Sequence, residues 1–310
     1  MEGYVIDPRG DVTALPVLLE WNIVHSMENC DAFEVRMPLT EGLADTLAAA
    51  AEFHCTHLGQ TVFRGVVDEY ELRAEAGSAL AVLAGRGRGA YLMDSEAESA
   101  EYWSPGIALI LARHVYPWRI SDVRWQPMAA AGRFPVRAGE SHWKVLKNFC
   151  YFAGGVAPRF DRQGTLLLNG EAGETVTLRD APVSRQVWRA QRSGVISQVL
   201  VKNPVWGMTA AVDNAAAAEK GILCRRVLHV PRYTVYDRMR HTGAYQIRQS
   251  EQGKNVLSLT LPVLFAAFAG DTVALEGSPL GLQGRYRVRE SRCTADARSA
   301  ETHLTLEKEE

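Results

Sequence analysis

Apolar and polar residues alternate over long stretches of the chain. In Phe33-Glu34-Val35-Arg36-Met37 every second side chain is apolar, the signature of a strand buried on one face. Pro16 to Val24 is apolar and β-prone, Glu41-Gly42 is a turn signal, and the run from Ala48 to Leu72 breaks at Gly59-Gln60. The alanine-rich start of that run is ambiguous and compatible with helix. Past Glu52 a strand fits better: Phe53, Cys55 and His57 share one face, and Phe63 to Leu72 continues after the turn. Two such runs about a glycine-containing turn predict a hairpin. Strands at this spacing predict a small barrel or sandwich over residues 1–85.

The pattern changes near Gly85. Ser104-Pro105 predicts a helix start, with Ser as N-cap and Pro at the first helical position. Ile107, Ile110, Leu111 and His114 follow at helical spacing, and the helix should stop before Pro117. A second helix is predicted over Ser141 to Ala153, with Trp143, Leu146, Phe149, Cys150 and Ala153 as its apolar stripe. Gly154-Gly155 ends it, because glycine takes the left-handed cap conformation at little cost. Arg159 to Asn169 reads as a hairpin turning at Asp161-Arg162-Gln163-Gly164. Residues 86–178 therefore form a predicted mixed α/β unit. From 179 the strands return at Val183 to Ala190, Val195 to Val201, Val205 to Val212 and Ile222 to Val230. Pro231 to Gln252 is polar, with Tyr236, Met239, Arg240, Gly243 and Ile247 at helical spacing, which predicts an exposed helix closed by Gly253. Strands resume at Asn255 to Leu261, Thr272 to Leu275, Arg285 to Arg292 and Glu301 to Leu306. The fold class is thus mainly β with an α/β insert. Two small antiparallel β-barrel domains, residues 1–85 and 179–310, flank a mixed α/β domain of residues 86–178.

Composition narrows the function classes. At 47% hydrophobic and 23% charged residues the chain is an ordinary globular protein, able to offset chain entropy by burial. Its 34 basic and 36 acidic residues give a net charge of -2. That balance argues against a dedicated DNA-binding protein and allows only transient passage of DNA through a channel. No apolar run approaches the ~18 residues of a membrane span, so no membrane insertion is expected. Met1 to Asp7 shows no basic segment followed by an apolar one, so no signal peptide is expected and the protein should stay where it is made. The scattered Cys30, Cys55, Cys150, Cys224 and Cys293 form no disulfide framework and read as reduced, mostly buried thiols.

Candidate chemistry is sparse. Gly85-Arg86-Gly87-Arg88-Gly89 has the glycine content of a phosphate loop but lacks its Lys-Ser/Thr, and Tyr91-Leu92-Met93 reads as a strand rather than a helix. A tight crossing between domains that needs positive φ explains the run better. In His54-Cys55-Thr56-His57, Cys55 and His57 can face one ion, but no further ligand pair completes a tetrahedral site. Asp94, Glu96, Glu98 and Glu101 form an acidic cluster. Paired carboxylates cleave glycosides, so a cell-wall-degrading glycoside hydrolase or a carbohydrate-binding tail component is the rival function. Clustered acids in this position more often solvate a loop. Gly77-Ser78-Ala79 and Arg192-Ser193-Gly194 do not make a nucleophile elbow. Trp103, Trp118, Trp125, Trp188 and Trp206 are interface anchors or core-edge packing. No catalytic, cofactor-binding or metal-binding residue is assigned, and the chain is expected not to be an enzyme.

Several segments, in order, resemble the central baseplate hub proteins of Mu-like and related prophage tails. Thr61-Val62-Phe63-Arg64-Gly65-Val66-Val67-Asp68 is followed by Gly85-Arg86 and then Leu92-Met93-Asp94. This is similar to that family's strand pair and glycine-arginine crossing. Gly139-Glu140-Ser141-His142-Trp143-Lys144-Val145-Leu146 and Asp161-Arg162-Gln163-Gly164-Thr165-Leu166 resemble its middle-domain helix and hairpin. Gly270-Asp271-Thr272-Val273, Gly284-Arg285-Tyr286-Arg287-Val288 and Thr302-His303-Leu304-Thr305-Leu306 resemble its closing strands. The resemblance implies a structural homotrimer whose six barrels adapt a hexameric tail tube to a trimeric spike in a contractile phage tail or related injection system. It implies the trimeric spike, the tail tube, a baseplate wedge or LysM-type protein and the tape measure protein as partners. It also implies a place in the virion tail baseplate, after assembly in the host bacterial cytoplasm. The polar helix before Gln252 and the near-neutral charge depart from the family and leave the channel lining unassigned.

Overall fold

The computed structural model describes residues 1–309 except Ala76, Ala131, Asp180, Ala181, Pro231 and Tyr233. The chain divides into two compact units, Met1–Gln186 with Ser258–Glu309, and Val187–Leu257.

In the first unit, alternation along the N-terminal strands sets the core. Glu20–Ser26, Ala32–Pro38, Ser78–Gly87, Gln60–Glu75, Glu52–His57 and Glu2–Ile6 lie side by side in that order, each antiparallel to the next. Val5, Ile23, Phe33, Val35, Met37, Phe53, Cys55, Phe63 and Leu83, drawn from all of these strands, pack into one core. For one face of six consecutive strands to enclose a single core, the sheet must curl, as twisted strands do when a sheet rolls toward a barrel. Leu43–Ala49 is a helix that buries Leu43 and Leu47 in the same core and takes in only Ala48 and Ala49 of the ambiguous alanine-rich start.

The strand-rich C-terminal segment joins this sheet directly. Gly284–Ala295 pairs with Ala300–Lys308 on one side and with Glu20–Ser26 on the other. The two ends of the chain thus share one 13-stranded sheet, whose pairing path runs openly from Arg185–Ala190 to Val12–Ala14. His25 reinforces the join. Its Nδ1 lies 3.2 Å from Asp31, its Nε2 lies 3.0 Å from the Val62 carbonyl, and its ring meets Phe268 edge-on. The mainly β architecture with an α/β insert agrees with the sequence pattern.

In the insert, His142–Gly154 is a helix capped by Ser141, whose hydroxyl accepts from the Lys144 N–H, and ended by Gly155 at φ 66°. Val145, Leu146, Phe149 and Cys150 pack with Ile107, Ile110 and Leu111 in one core. Trp143 is partly buried and stacks on Phe160. Arg159–Phe160 and Leu166–Leu168 form the expected hairpin; Asp161 organises its turn by accepting from the Gln163 and Thr165 N–H groups.

Two expectations fail here. Ser104 is no N-cap: the helix is Ile107–His114 with Gly106 at its cap. Ser104 has φ 47° and bonds Gly132 through both its N–H and its hydroxyl. The antiparallel pairing of Ala100–Trp103 with Arg133–Val136, carried one residue further, has taken the capping group. Likewise Tyr91-Leu92-Met93 is not a strand. Ala90–Met93 is a single helical turn starting directly after Gly89, and it buries Leu92.

In the second unit, Gln198–Asn203 lies between Met208–Asp213, antiparallel, and Arg225–His229, parallel. The Tyr236–Glu251 helix packs on this sheet with Met239, Gly243 and Ile247 buried. The helix expected to be exposed is therefore buried along one stripe. Its polar composition hides a narrow seam, and Gly243 is needed there because a Cβ would lie 2.6 Å from Val212. Asn214 caps an unanticipated helix, Ala215–Glu219.

Candidate functional site

The glycine run holds the sheet together. None of Gly85, Gly87 and Gly89 is among the residues with positive φ, so the expected reason for them is corrected. They are there because other atoms come close. A Cβ on Gly85 would lie 2.0 Å from the Val66 carbonyl and 2.7 Å from the Phe33 ring, and one on Gly87 would lie 2.9 Å from Asp31. Arg86 bonds both Asp68 and Asp94. Arg88 is buried and donates to the Arg119 carbonyl at 2.6 Å.

Other sequence candidates are dispersed. Cys55 is fully buried and burial pushes its thiol up to about 12. The neighbouring His54 ring lies 3.1 Å from the Thr61 hydroxyl. Among the described residues no three His, Cys, Asp or Glu side chains are placed to hold one metal ion. All five cysteines are free; Cys55 and Cys150 are buried, the others partly so. In the acidic cluster, Asp94 pairs with Arg86 and Glu101 with Arg133. The Arg86 guanidinium holds the Asp94 carboxyl below its ordinary value. Trp103, Trp125, Trp188 and Trp206 are exposed, whereas Trp118 packs on the His142 ring in the insert.

A buried polar relay escapes sequence reading. His114 and His142 face each other Nδ1 to Nδ1 at 2.9 Å, and the Tyr102 hydroxyl lies 3.1 Å from His114 Nε2. Burial, then the facing His142 ring, pulls His114 down to about 4; burial also lowers His142. A neutral pair satisfies the contact with one proton between the rings; when His114 Nδ1 carries it, His114 Nε2 accepts from the Tyr102 hydroxyl. The only sequence signals were His114 on a helix stripe and His142 just after a cap.

A cleft of about 460 Å³ lies where the 159–168 hairpin meets residues 268–271. Its charged groups serve that junction. Arg159 donates to the Ala269 and Glu171 carbonyls, Arg162 lies over the Phe268 ring at 4.7 Å and pairs with Glu174, and Asp271 accepts from the Glu174 and Phe268 N–H groups.

What remains open is sheet edge. Beyond Val67, whose N–H donates to the Ala51 carbonyl, Gln60–Glu75 pairs among the described residues only with Ser78–Gly87. Arg185–Ala190 is a terminal strand of the pairing path. Such edges offer unpaired backbone groups to another chain.

No family model and no curated protein sequence matches the chain. Solved structures do. The tail protein from Neisseria meningitidis MC58 superposes with a TM-score of 0.77 at 15% identity, over 99% of this chain and 96% of that one. The 43 kDa tail protein of prophage MuSo2 from Shewanella oneidensis gives 0.77 at 17% identity, over 99% and 98%. The E. coli c3393 protein is a type VI secretion system component with structural similarity to T4 bacteriophage tail proteins. It gives 0.60 at 10% identity, over 94% and 74%. The chain has the fold of phage tail proteins.

Proposed function

We propose that the chain is a structural, non-enzymatic subunit of a baseplate hub in a contractile phage tail or related injection machine. It forms a homotrimer that adapts a hexameric tail tube to a trimeric spike. The observation that supports this reading most is that the tail-protein fold runs through essentially the whole chain, from first strand to last. The physical fit is good. With residues 1–85 and 179–310 as two barrel-like domains flanking the 86–178 insert, three subunits present six similar modules to a sixfold tube. The spike, tail tube, tape measure and a wedge or LysM-type protein are its partners in the virion baseplate. DNA passes only transiently, and assembly takes place in the bacterial cytoplasm. Among the described residues no helix is long and apolar enough to cross a membrane. Of the four carboxylates behind the hydrolase alternative, Asp94 and Glu101 are each committed to an arginine.

Co-expression with the tube and spike proteins encoded beside it, followed by light scattering of the purified complex, tests the reading. Three copies per trimeric spike are expected. A stoichiometry incompatible with threefold symmetry overturns it.

A further inference from the structure

Two edges of the large sheet are complementary in charge and both carry exposed apolar side chains. On Gln60–Glu75, the outer edge from Glu69 onward has no backbone partner among the described residues. It presents Glu69 and Glu71, with Tyr70 and Leu72 each 42% exposed on the opposite face. Glu71 pairs with Arg73 on its own strand, at 2.7 Å and in solvent, a pair that exchanges readily because exposed ion pairs are weak. Arg185–Ala190 is a terminal strand of the pairing path, where Arg185 and Arg189 are exposed, with Val187 at 38% and Trp188 at 36%. Arg189 donates to the Gln191 amide oxygen.

We propose that these two edges pair between copies of this chain, the 69–74 edge of one subunit with Arg185–Ala190 of the next, as added antiparallel strands. The proposal rests on the reading of the chain as a ring-forming hub subunit and says which surfaces close the ring. Charge decides against the alternatives. Two acidic edges repel, as do two arginine edges, so the contact is head to tail, the geometry that generates closed rings. Register follows from side-chain alternation. Placing Glu71 opposite Arg189 sets Leu72 opposite Trp188 and Tyr70 opposite Ala190, with the apolar groups on one face. A slip of two residues in either direction sets Arg73 against Arg185 or Arg189, like charges directly opposed. Trp188 is then the central anchor of the contact.

The test uses the full chain in sedimentation velocity over a wide concentration range. Glu71→Arg and Arg189→Glu, each with an unchanged melting curve, should each weaken self-association by about tenfold, and the double exchange should recover most of it. Arg226→Glu, on the other exposed basic edge, Arg225–His229, should change nothing. A Leu72→Cys and Trp188→Cys pair should give an intermolecular disulfide between those two positions, read by peptide mass spectrometry. If the trimer forms with its spike and is indifferent to both reversals, this contact is refuted while the hub reading stands. Sensitivity to Arg226→Glu instead of Arg189→Glu also refutes it. A chain that assembles neither alone nor with its spike refutes both.

Discussion

The His114–His142 pair makes stability depend on pH in a predictable window. Both rings are nearly inaccessible, at 4% and 6% exposure. His114 moves from an ordinary 6.5 down to about 4 in the folded chain. The sign follows from proton linkage. Below pH 6.5 the unfolded chain takes up a proton that the folded chain refuses, so stability falls as the pH drops. Near pH 4 the folded ring is protonated as well and the slope flattens. At roughly 1.4 kcal/mol per pH unit, the loss between those limits is about 3 kcal/mol. Burial explains the refusal: the charged ring loses its hydration among apolar neighbours, and the facing His142 ring adds to the cost. Since the chain has two units, a global melt is a poor readout. The ring titration of His114 by NMR and the exchange protection of His142–Gly154 amides are better ones. Protection should fall between pH 6.5 and 4 in the native protein and much less in a His114→Gln, His142→Gln double variant. A His114 ring that titrates within about half a unit of 6.5, or equal acid sensitivity in both proteins, refutes the reasoning.

Two packing predictions follow from the cores. Leu146 is fully buried, so Leu146→Ala should destabilise the insert by about 2–5 kcal/mol, measured by hydrogen exchange of its helices; a loss below about 1 kcal/mol would mean the stripe is not core. Gly85→Ala would drive a methyl against the Val66 carbonyl and the Phe33 ring, so it should cost at least about 2 kcal/mol, read as lost hydrogen-exchange protection of the Ser78–Gly87 amides or loss of soluble protein.

Much of this architecture is legible from local pattern, and the failures share a cause. Strands such as Ala32–Pro38 and the His142–Gly154 helix are visible because their burial period is set by their own side chains. The hairpin at Asp161 is visible because its turn is closed by its own carboxylate. Ser104 misleads because the group that takes its hydroxyl, the Gly132 N–H, is 28 residues away. The His114–His142 contact also spans 28 residues, and neither ring announces the other. The join of Glu20–Ser26 to Gly284–Ala295 lies beyond any local signal for the same reason.

The glycine run sharpens the point. Its composition marks it as special, and the natural inference from glycine is positive φ. The structure gives the other reason for glycine, the absence of a Cβ where a neighbouring strand and an aromatic ring come close. The two reasons are indistinguishable in one sequence, yet they predict different tolerance. A positive-φ glycine with open space around it, such as Gly59, can pass to asparagine at modest cost. Gly85 can pass to nothing larger without moving the strand beside it. The distinction bears on function, because Gly65 and Gly85 bring Gln60–Glu75 and Ser78–Gly87 together at the point where the outer edge of Gln60–Glu75 loses its own partner. The tight end of that ribbon is therefore the fixed base from which the free edge projects. A loosened base would misplace the edge without touching any of its residues.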